Sequence, residues 1–312
     1  MWHQVEINMG LTIKEIGNLL KDAFLELRNS DPLRLAAATA FFTTFALPAI
    51  LIILIQIIGL IYNPEALSQE IFEKLKEVLG IGSAEQIKEV LEGFHEKASN
   101  WMITVGGFVF LIFVATTLFK VVKDSINQLW EIKLEHRAGF KKKLKQRAKA
   151  LAVIGFTGIL FLVTLLSEGL IAVLSDLVQE YFPAASQIFV QIIKQIAAIA
   201  IVTIWFTVLF KFLPDAKSPW KTALAGGFFT GVLFTIGKFL LGLLLSGSNI
   251  DNIYGASGSI VLLLLFVFYS SFILYFGATF TKQWGKYTNN EIVPREYAMF
   301  YELSEIKKEH KK

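Results

Sequence analysis

Three ionisable residues, Glu168, Lys194 and Lys238, interrupt stretches that are otherwise apolar. A charge at the centre of a bilayer costs about 2.5–3.5 kcal/mol on insertion scales, so such residues pair with one another or face a water-filled route. At about 1.5 Å of rise per helical residue, all three fall roughly 9–12 Å below the same membrane surface, on three consecutive helices. Gln191, about one turn before, and Gln195, the next residue, flank Lys194. Two readings follow. Either the lysines snorkel outward and Glu168 neutralises one of them, or the three share a hydrated, outward-facing cavity with excess positive charge. Such a cavity suits a carboxylate, a phosphate or a lipid headgroup.

Other chemistry is scarce. The four histidines, His3, His95, His136 and His310, stand in separate polar segments, and none has a second histidine at helical spacing. With no cysteine in the chain, thiolate metal sites, disulfides and cysteine nucleophiles are excluded. There is no phosphate-binding G-x-x-x-x-G-K-[ST] loop, no H-E-x-x-H helix and no G-x-S-x-G elbow. No cofactor, metal or enzymatic activity is therefore expected.

The elements carrying these residues follow from composition. Of 312 residues, 54% are hydrophobic and 18% charged, against about a quarter charged in an average soluble domain. Six stretches reach the roughly 20 apolar residues that a bilayer core requires: Leu35 to Tyr62, Trp101 to Val122, Leu151 to Leu174, Ile188 to Leu213, Thr222 to Leu245 and Ser257 to Thr281. The expected fold is an all-α bundle of six transmembrane helices spanning 35–281, between a cytoplasmic segment 1–34 and a cytoplasmic tail 282–312. The first span exceeds the apolar core of a signal peptide and follows a mixed-charge segment.

Orientation comes from lysine and arginine. Residues 1–34 carry four, the connection 123–150 nine, the connection 211–221 three, and the tail from Lys282 seven. The alternate connections carry four, none and none, and the four share their loop with eight glutamates. Positive loops resist translocation, so both termini are expected inside.

Two soluble pieces have helical periodicity. Ile13, Ile16, Leu20, Phe24 and Leu27 alternate with Lys14, Glu15, Lys21, Asp22 and Glu26. This is an amphipathic helix, either lying at the cytoplasmic interface or packed beneath the bundle. Residues 63–100 read as an extracytoplasmic helical hairpin, with Leu67, Ile71, Leu75 and Val78 on one arm and Ile87, Leu91, Phe94 and Ala98 on the other. Gly80 and Gly82 mark its turn, with Ser83 and Gln86 as a capping box. Gly227, Gly231 and Gly237 suit close helix packing or a hinge, and Pro48 removes a backbone bond from the first span and should kink it, as a hinge or a fixed shape. A small polar loop, Ser246 to Asp251, joins the last two spans.

In combination, several short runs carry a resemblance. Leu213-Pro214-Asp215, Trp220, Gly237-Lys238, Tyr254-Gly255-Ala256 and Gly277-Ala278, with Ala36 to Pro48 and with Asp124, Asn127 and Trp130, resemble the YihY/BrkB membrane protein family over roughly residues 20–285. Two departures are Thr279, where many members have an acid, and Phe266 or Phe268, where a tryptophan is common. The resemblance implies a multi-pass protein of the bacterial inner membrane. Some members were historically labelled ribonuclease BN, and some are linked by name to serum resistance.

Three functions remain open. A transporter or flippase for an anionic lipid or metabolite of envelope biogenesis accounts for the intramembrane charges, the glycines and Pro48. A non-transporting scaffold for envelope assembly accounts for the hairpin and the amphipathic helix. A membrane-bound nuclease accounts only for Lys141, Lys142, Lys143, Lys145, Arg147 and Lys149, which read more simply as an orientation signal and an anionic-lipid contact. The expected partners are membrane lipids and an anionic ligand, not nucleic acid.

Overall fold

In lipid a backbone must satisfy its own hydrogen bonds, and a run of apolar residues does so as helix. A computed structural model describes residues 12–58, 64–79, 81–82, 84–85, 87–89, 101–134, 140–181, 186–246 and 258–302. Its helices are α1 (Ile13–Arg28), α2 (Pro32–Ile58), α3 (Pro64–Leu79), α4 (Trp101–Leu129), α5 (Phe140–Tyr181), α6 (Ser186–Phe212), α7 (Trp220–Ser246) and α8 (Gly258–Tyr287). Among the described residues, α2, α5, α6, α7 and α8 contain segments long and apolar enough to cross a membrane. At the position of the second expected span, α4 is a 29-residue helix.

The helices outrun the apolar stretches at one end. The basic connection expected over 123–150 is helical to Leu129 and again from Phe140. Its second half is rich in lysine, glutamine, alanine, leucine and arginine, which are strong helix formers, so α5 continues beyond the apolar stretch. With 42 residues, α5 is about 63 Å long, twice the ~30 Å of a hydrocarbon core. Similarly, α8 passes the expected end at Thr281 and reaches Tyr287. Its cap places Asn289 in the left-handed region (φ 52°), and Asn290 N–H closes back on Gly285 O at 2.9 Å.

Glycine and threonine set the packing of α6, α7 and α8. A Cβ on Gly227 would lie 2.7 Å from Thr207 N and 2.8 Å from Thr203 O, and one on Gly231 would lie 2.8 Å from Thr203 Oγ1. On the other side, a Cβ on Gly226 would meet Thr281, one on Gly237 would meet the Tyr269 hydroxyl, and one on Gly277 would meet Thr230. As the numbers rise along α7 they fall along both neighbours, so α7 runs antiparallel to each. The expected packing role of Gly227, Gly231 and Gly237 has this physical form: each glycine gives the neighbouring helix the room of a missing side chain.

The main core joins α2, α4, α5, α6 and α8 around Ile52, Ala115, Ile154, Phe210 and Tyr275. Tyr275 shares a hydroxyl hydrogen bond with Thr39 of α2, and Trp130 Nε1 donates to Ala278 O at 2.8 Å. Helix α2 is unbroken across Pro48. Leu67 and Ile71 of α3 are buried with Ile87 against Leu51, Ile55, Ile58 and Leu263. The first hairpin arm thus turns its apolar stripe onto the bundle, whereas Gly80, Ser83, Gln86, Leu91, Phe94 and Ala98 lie outside the described residues.

Helix α1 opens on a capping box between Thr12 and Glu15, whose hydrogen bonds to Thr12 backbone and hydroxyl hold the Glu15 carboxyl below its ordinary range. Its buried face, Leu19 and Ala23, packs against Phe280 of α8. Two short antiparallel ribbons complete the same end. Strand β1 (Ile132–Leu134) pairs with β4 (Ala298–Phe300), and β2 (Ala216–Lys217) with β3 (Val293–Pro294). The expectation of a purely helical chain omits these ribbons, which are too short to show an alternating pattern.

Candidate functional site

Helix α6 ends where Pro214, lacking an N–H, cannot continue it, and the next residue turns inward. The carboxylate of Asp215 is 2% exposed beside the 6% exposed side chain of Lys123, with Nζ 3.0 Å from Oδ2. Asn127 stands one turn beyond Lys123 on α4. Its Nδ2 donates to Asp215 Oδ2 at 2.9 Å, and its Oδ1 accepts from Asp215 N at 2.9 Å. Tyr297 donates its hydroxyl to Asp215 Oδ1 at 3.4 Å. Arg295 N–H reaches Asp215 O at 3.1 Å, and Arg295 Nε reaches Ala216 O at 3.0 Å. Burial, and then the nearby Asp215 charge, push the Tyr297 hydroxyl above the ordinary tyrosine range, with Arg295 opposing. A buried ion pair persists when further hydrogen bonds satisfy its partners, and here Asn127 and Tyr297 supply them to the Asp215 carboxylate.

The pair closes one side of a cavity of about 380 Å³ between α4 and α5. That volume lies within the ~300–1,000 Å³ of small-molecule sites. Lys120, Lys123, Arg147 and Lys149 line it with Asp124 and Asp215, so cations outnumber carboxylates four to two. Phe119, Leu134, Ala150 and Leu213 supply apolar wall. Arg147 is fixed from two sides: it donates to Thr116 Oγ1 at 2.8 Å and lies 4.6 Å from the centre of the Phe113 ring. The Thr116 hydroxyl hydrogen goes to Ile112 O at 2.6 Å, which leaves its oxygen to accept from Arg147.

A second polar hub lies at the same end. Lys282 of α8, with its side chain 8% exposed, forms an ion pair with Glu26 of α1. It also lies 2.9 Å from Glu131 Oε2 and 3.3 Å from Leu129 O. Gln283 donates to Glu26 as well, and Tyr287 donates to Asp22 at 2.9 Å. Glu131 adopts φ 54°, an uncommon conformation for a residue with a side chain. The hub ties α1 to the ends of α4 and α8. Among the described residues, no group of three or more His, Cys, Asp or Glu side chains is placed to hold a metal ion.

A family model described as Virulence factor BrkB matches residues 23–297. The chain belongs to the BrkB family. A UPF0761 membrane protein of Psychrobacter sp. (strain PRwf-1) is 25% identical over 281 residues, covering 90% of this chain and 49% of the relative. One from Pseudomonas paraeruginosa (strain DSM 24068 / PA7) is 26% identical over 244 residues, covering 78% and 57%. Another, from Teredinibacter turnerae (strain ATCC 39867 / T7901), is 23% identical over 271 residues, covering 84% and 59%. The chain therefore spans about half the length of the curated relatives it matches. No solved structure matches it significantly.

Several residues that carry the BrkB resemblance make the contacts of the Lys123 pair or of the neighbouring helix packing. Asp124, Asn127 and Asp215 surround Lys123, Trp130 holds Ala278, and Gly277 receives Thr230. Thr279, at the departure from the family pattern, is buried and donates to Phe276 O at 2.9 Å. The cavity was not found from the sequence, although Asp124, Asn127 and Asp215 were visible as family signals.

The sequence-selected residues stand elsewhere. Lys194, Gln191 and Gln195 are exposed on α6, and Lys238 is exposed on α7. Glu168 belongs to α5, its side chain outside the described residues. The contacts of Gly231 with Thr203 and of Gly227 with Thr207, continued along the helices, bring Lys238 to the level of Ile196. The bond from Trp205 to Thr157, continued likewise, brings Glu168 to the level of Lys194. The shared level concerns depth alone. The polar loop Ser246 to Asp251 and all four histidines fall outside the residues whose side chains are described.

Proposed function

We propose that this BrkB-family protein transports or flips an anionic lipid or small anionic metabolite in the bacterial inner membrane, in support of envelope biogenesis. The observation that carries this reading is the cation-rich cavity between α4 and α5, set over a buried lysine–aspartate pair whose carboxylate Asn127 also holds. Arg147 is held by Thr116 and Phe113 in a fixed pose, the preorganisation that anion recognition requires. In this reading α4 is the sixth span and both termini are cytoplasmic, so the cavity opens inside and receives the anion there. Glu168, Lys194 and Lys238, with Gln191 and Gln195, form a second polar station nearer the outer surface. Neither station is catalytic in this proposal.

Two experiments test it. Vesicles containing the purified protein and a fluorescent anionic phospholipid should lose inner-leaflet label to an external quencher faster than protein-free vesicles, and Arg147→Gln should slow that loss. Equal rates with and without protein, for both the lipid and soluble organic anions, would remove the transport reading. For orientation, a cysteine placed at Glu85 should react with an impermeant reagent in spheroplasts while one at Lys142 stays protected, and reversed labelling would put the cavity outside.

A second reading, a non-transporting scaffold, is favoured by one observation. The glycine–threonine contacts of α6, α7 and α8 interlock at backbone distance and leave little freedom for those helices to slide. A scaffold would show the same stability effects with no anion movement.

A further inference from the structure

We infer that the cavity between α4 and α5 is a phosphate site, with a phosphomonoester dianion as its preferred group. The inference rests on the anion reading above and narrows its chemistry. Arginine with lysines around it is the donor set that suits phosphate: the planar fork gives two parallel N–H bonds to two oxygens, and ammonium groups neutralise the remaining charge. Thr116 uses one of the five N–H donors of Arg147. Among the described residues no carboxylate lies within ion-pair distance of Arg147, which lines the cavity and keeps its other N–H donors for an entering anion.

The other charges are graded by how firmly they are held. Lys123 is committed to Asp215 at 3.0 Å and lies 3.5 Å from Asp124. Lys120 is mostly exposed and only 3.9 Å from an Asp124 carboxylate that Lys123 also attracts. An entering anion can therefore take Lys120 and Arg147 without breaking the buried pair. With cations in excess of carboxylates around the cavity, a dianion gains more than a monoanion of similar size.

One face of α4 also suggests where such a phosphate comes from. Val109, Phe110 and Phe113 are exposed apolar residues. They precede Thr116, Thr117 and Lys120 of the cavity on the same helical face, at spacings of three and four residues. From Val109 to Lys120 the stripe runs about 16 Å, grading from apolar to cationic as a phosphorylated lipid grades from chain to headgroup.

The test uses the full chain in nanodiscs of dioleoylphosphatidylcholine, with binding read by native mass spectrometry and by thermal shift. Dioleoyl phosphatidic acid, a phosphomonoester, should bind at least tenfold more tightly than dioleoylphosphatidylglycerol, a phosphodiester, or oleate, a carboxylate. Arg147→Gln and Lys120→Gln should each weaken phosphatidic acid about tenfold and flatten the preference, with Arg147→Lys intermediate because it keeps charge and loses the fork. Lys120 is exposed, so its variant folds even if the Arg147 variants do not. Displacement by millimolar inorganic phosphate would assign a soluble phosphate source, and resistance to it a lipid source, both within the same chemistry. Oleate binding as tightly as phosphatidic acid, or Lys120→Gln without effect, overturns the phosphate site while leaving anion transport standing. Phosphatidic acid bound as expected but not moved in the vesicle assay overturns transport and leaves the site.

Discussion

Lys123 and Lys194 each stand within about two turns of a helix end with polar residues beside them in the sequence, Asp124 and Asn127 in one case and Gln191 and Gln195 in the other, yet the structure treats them in opposite ways. Lys123 is buried against Asp215 with Asn127 beside it, whereas Lys194 is exposed on α6 between Gln191 and Gln195. The partner of Lys123 comes from 92 residues away, in the turn after α6, and is itself fixed by Asn127, Arg295 and Tyr297. The comparison teaches that a charge near the end of an apolar helix becomes structural where the chain can bring several polar groups from loops and ribbons to meet it. One end of this bundle has those ribbons. At the other end, apart from α3 and a few residues up to 89, the connections lie outside the described residues.

Breaking the buried pair should have the largest effect. Asp215→Ala strands the Lys123 charge inside protein and should cost about 3–5 kcal/mol, seen as a large fall in unfolding midpoint in detergent. Adding Lys123→Met should restore part of it, because the loss arises from the unpaired charge more than from the missing attraction. Lys194→Met should change stability by less than about 0.5 kcal/mol if the lysine only meets solvent or headgroups. Equal losses at Asp215 and Lys194 would erase the contrast between the two layers.

The Lys282 hub comes next. Lys282→Met leaves Glu26 and Glu131 without their cation and should cost roughly 2–3 kcal/mol. Because Glu26 belongs to α1, the earliest sign should be proteolysis within residues 13–28 before the bundle unfolds. Unchanged protection of α1 would show that Leu19 and Ala23 against Phe280 suffice to hold it.

Glycine sharpens the comparison along one helix. Gly227→Ala drives a Cβ into Thr207 N and Thr203 O, backbone atoms that no rotamer change can move, and should cost about 1–3 kcal/mol by separating α6 from α7. Gly242, with nothing within 4 Å of an added Cβ, should gain up to ~1 kcal/mol as alanine from helix propensity. A stabilised Gly227→Ala would show that the two helices can part freely, as a moving carrier would need.

Five of the six expected spans and the close approach at the glycines were legible because length, hydropathy and small-residue spacing are local signals. Glu168, Lys194 and Lys238 were grouped by their distance from the ends of apolar stretches, which is a local signal as well. Which way a residue faces is set by neighbouring helices, and a helix hydrophobic all round gives no periodicity from which to read it. The extension of α5 was readable in part, since Lys141 to Ala150 is composed of helix formers, but the density of positive charge favoured a loop reading. The cavity was hidden for another reason. Asp215, Lys123 and Arg147 lie in three different connections or helix ends, and nothing in their spacing brings them together. Only the family runs around Asn127 and Leu213-Pro214-Asp215 marked those positions.

A small effect is also expected at Tyr297, which tests whether the C-terminal ribbon serves the buried pair or merely lies over it. Its hydroxyl donates to Asp215 Oδ1 at 3.4 Å, and burial with the Asp215 charge pushes its ionisation above the ordinary value. A tyrosine whose folded value is raised favours the neutral form. Its contribution to stability is therefore complete below the unfolded value near ~10 and is lost as pH rises through the folded value. Stability measured from pH 8 to 11 should fall in the upper part of that range in the parent chain, and Tyr297→Phe should remove the component of the fall that belongs to this group. Near pH 8, Tyr297→Phe should itself cost no more than about 1 kcal/mol, since the bond is long and Lys123 and Asn127 still satisfy the carboxylate. Identical alkaline profiles for the two chains would mean that Asp215 does not feel this hydroxyl, leaving Arg295, through the Asp215 and Ala216 carbonyls, as the contact by which the ribbon steadies the turn.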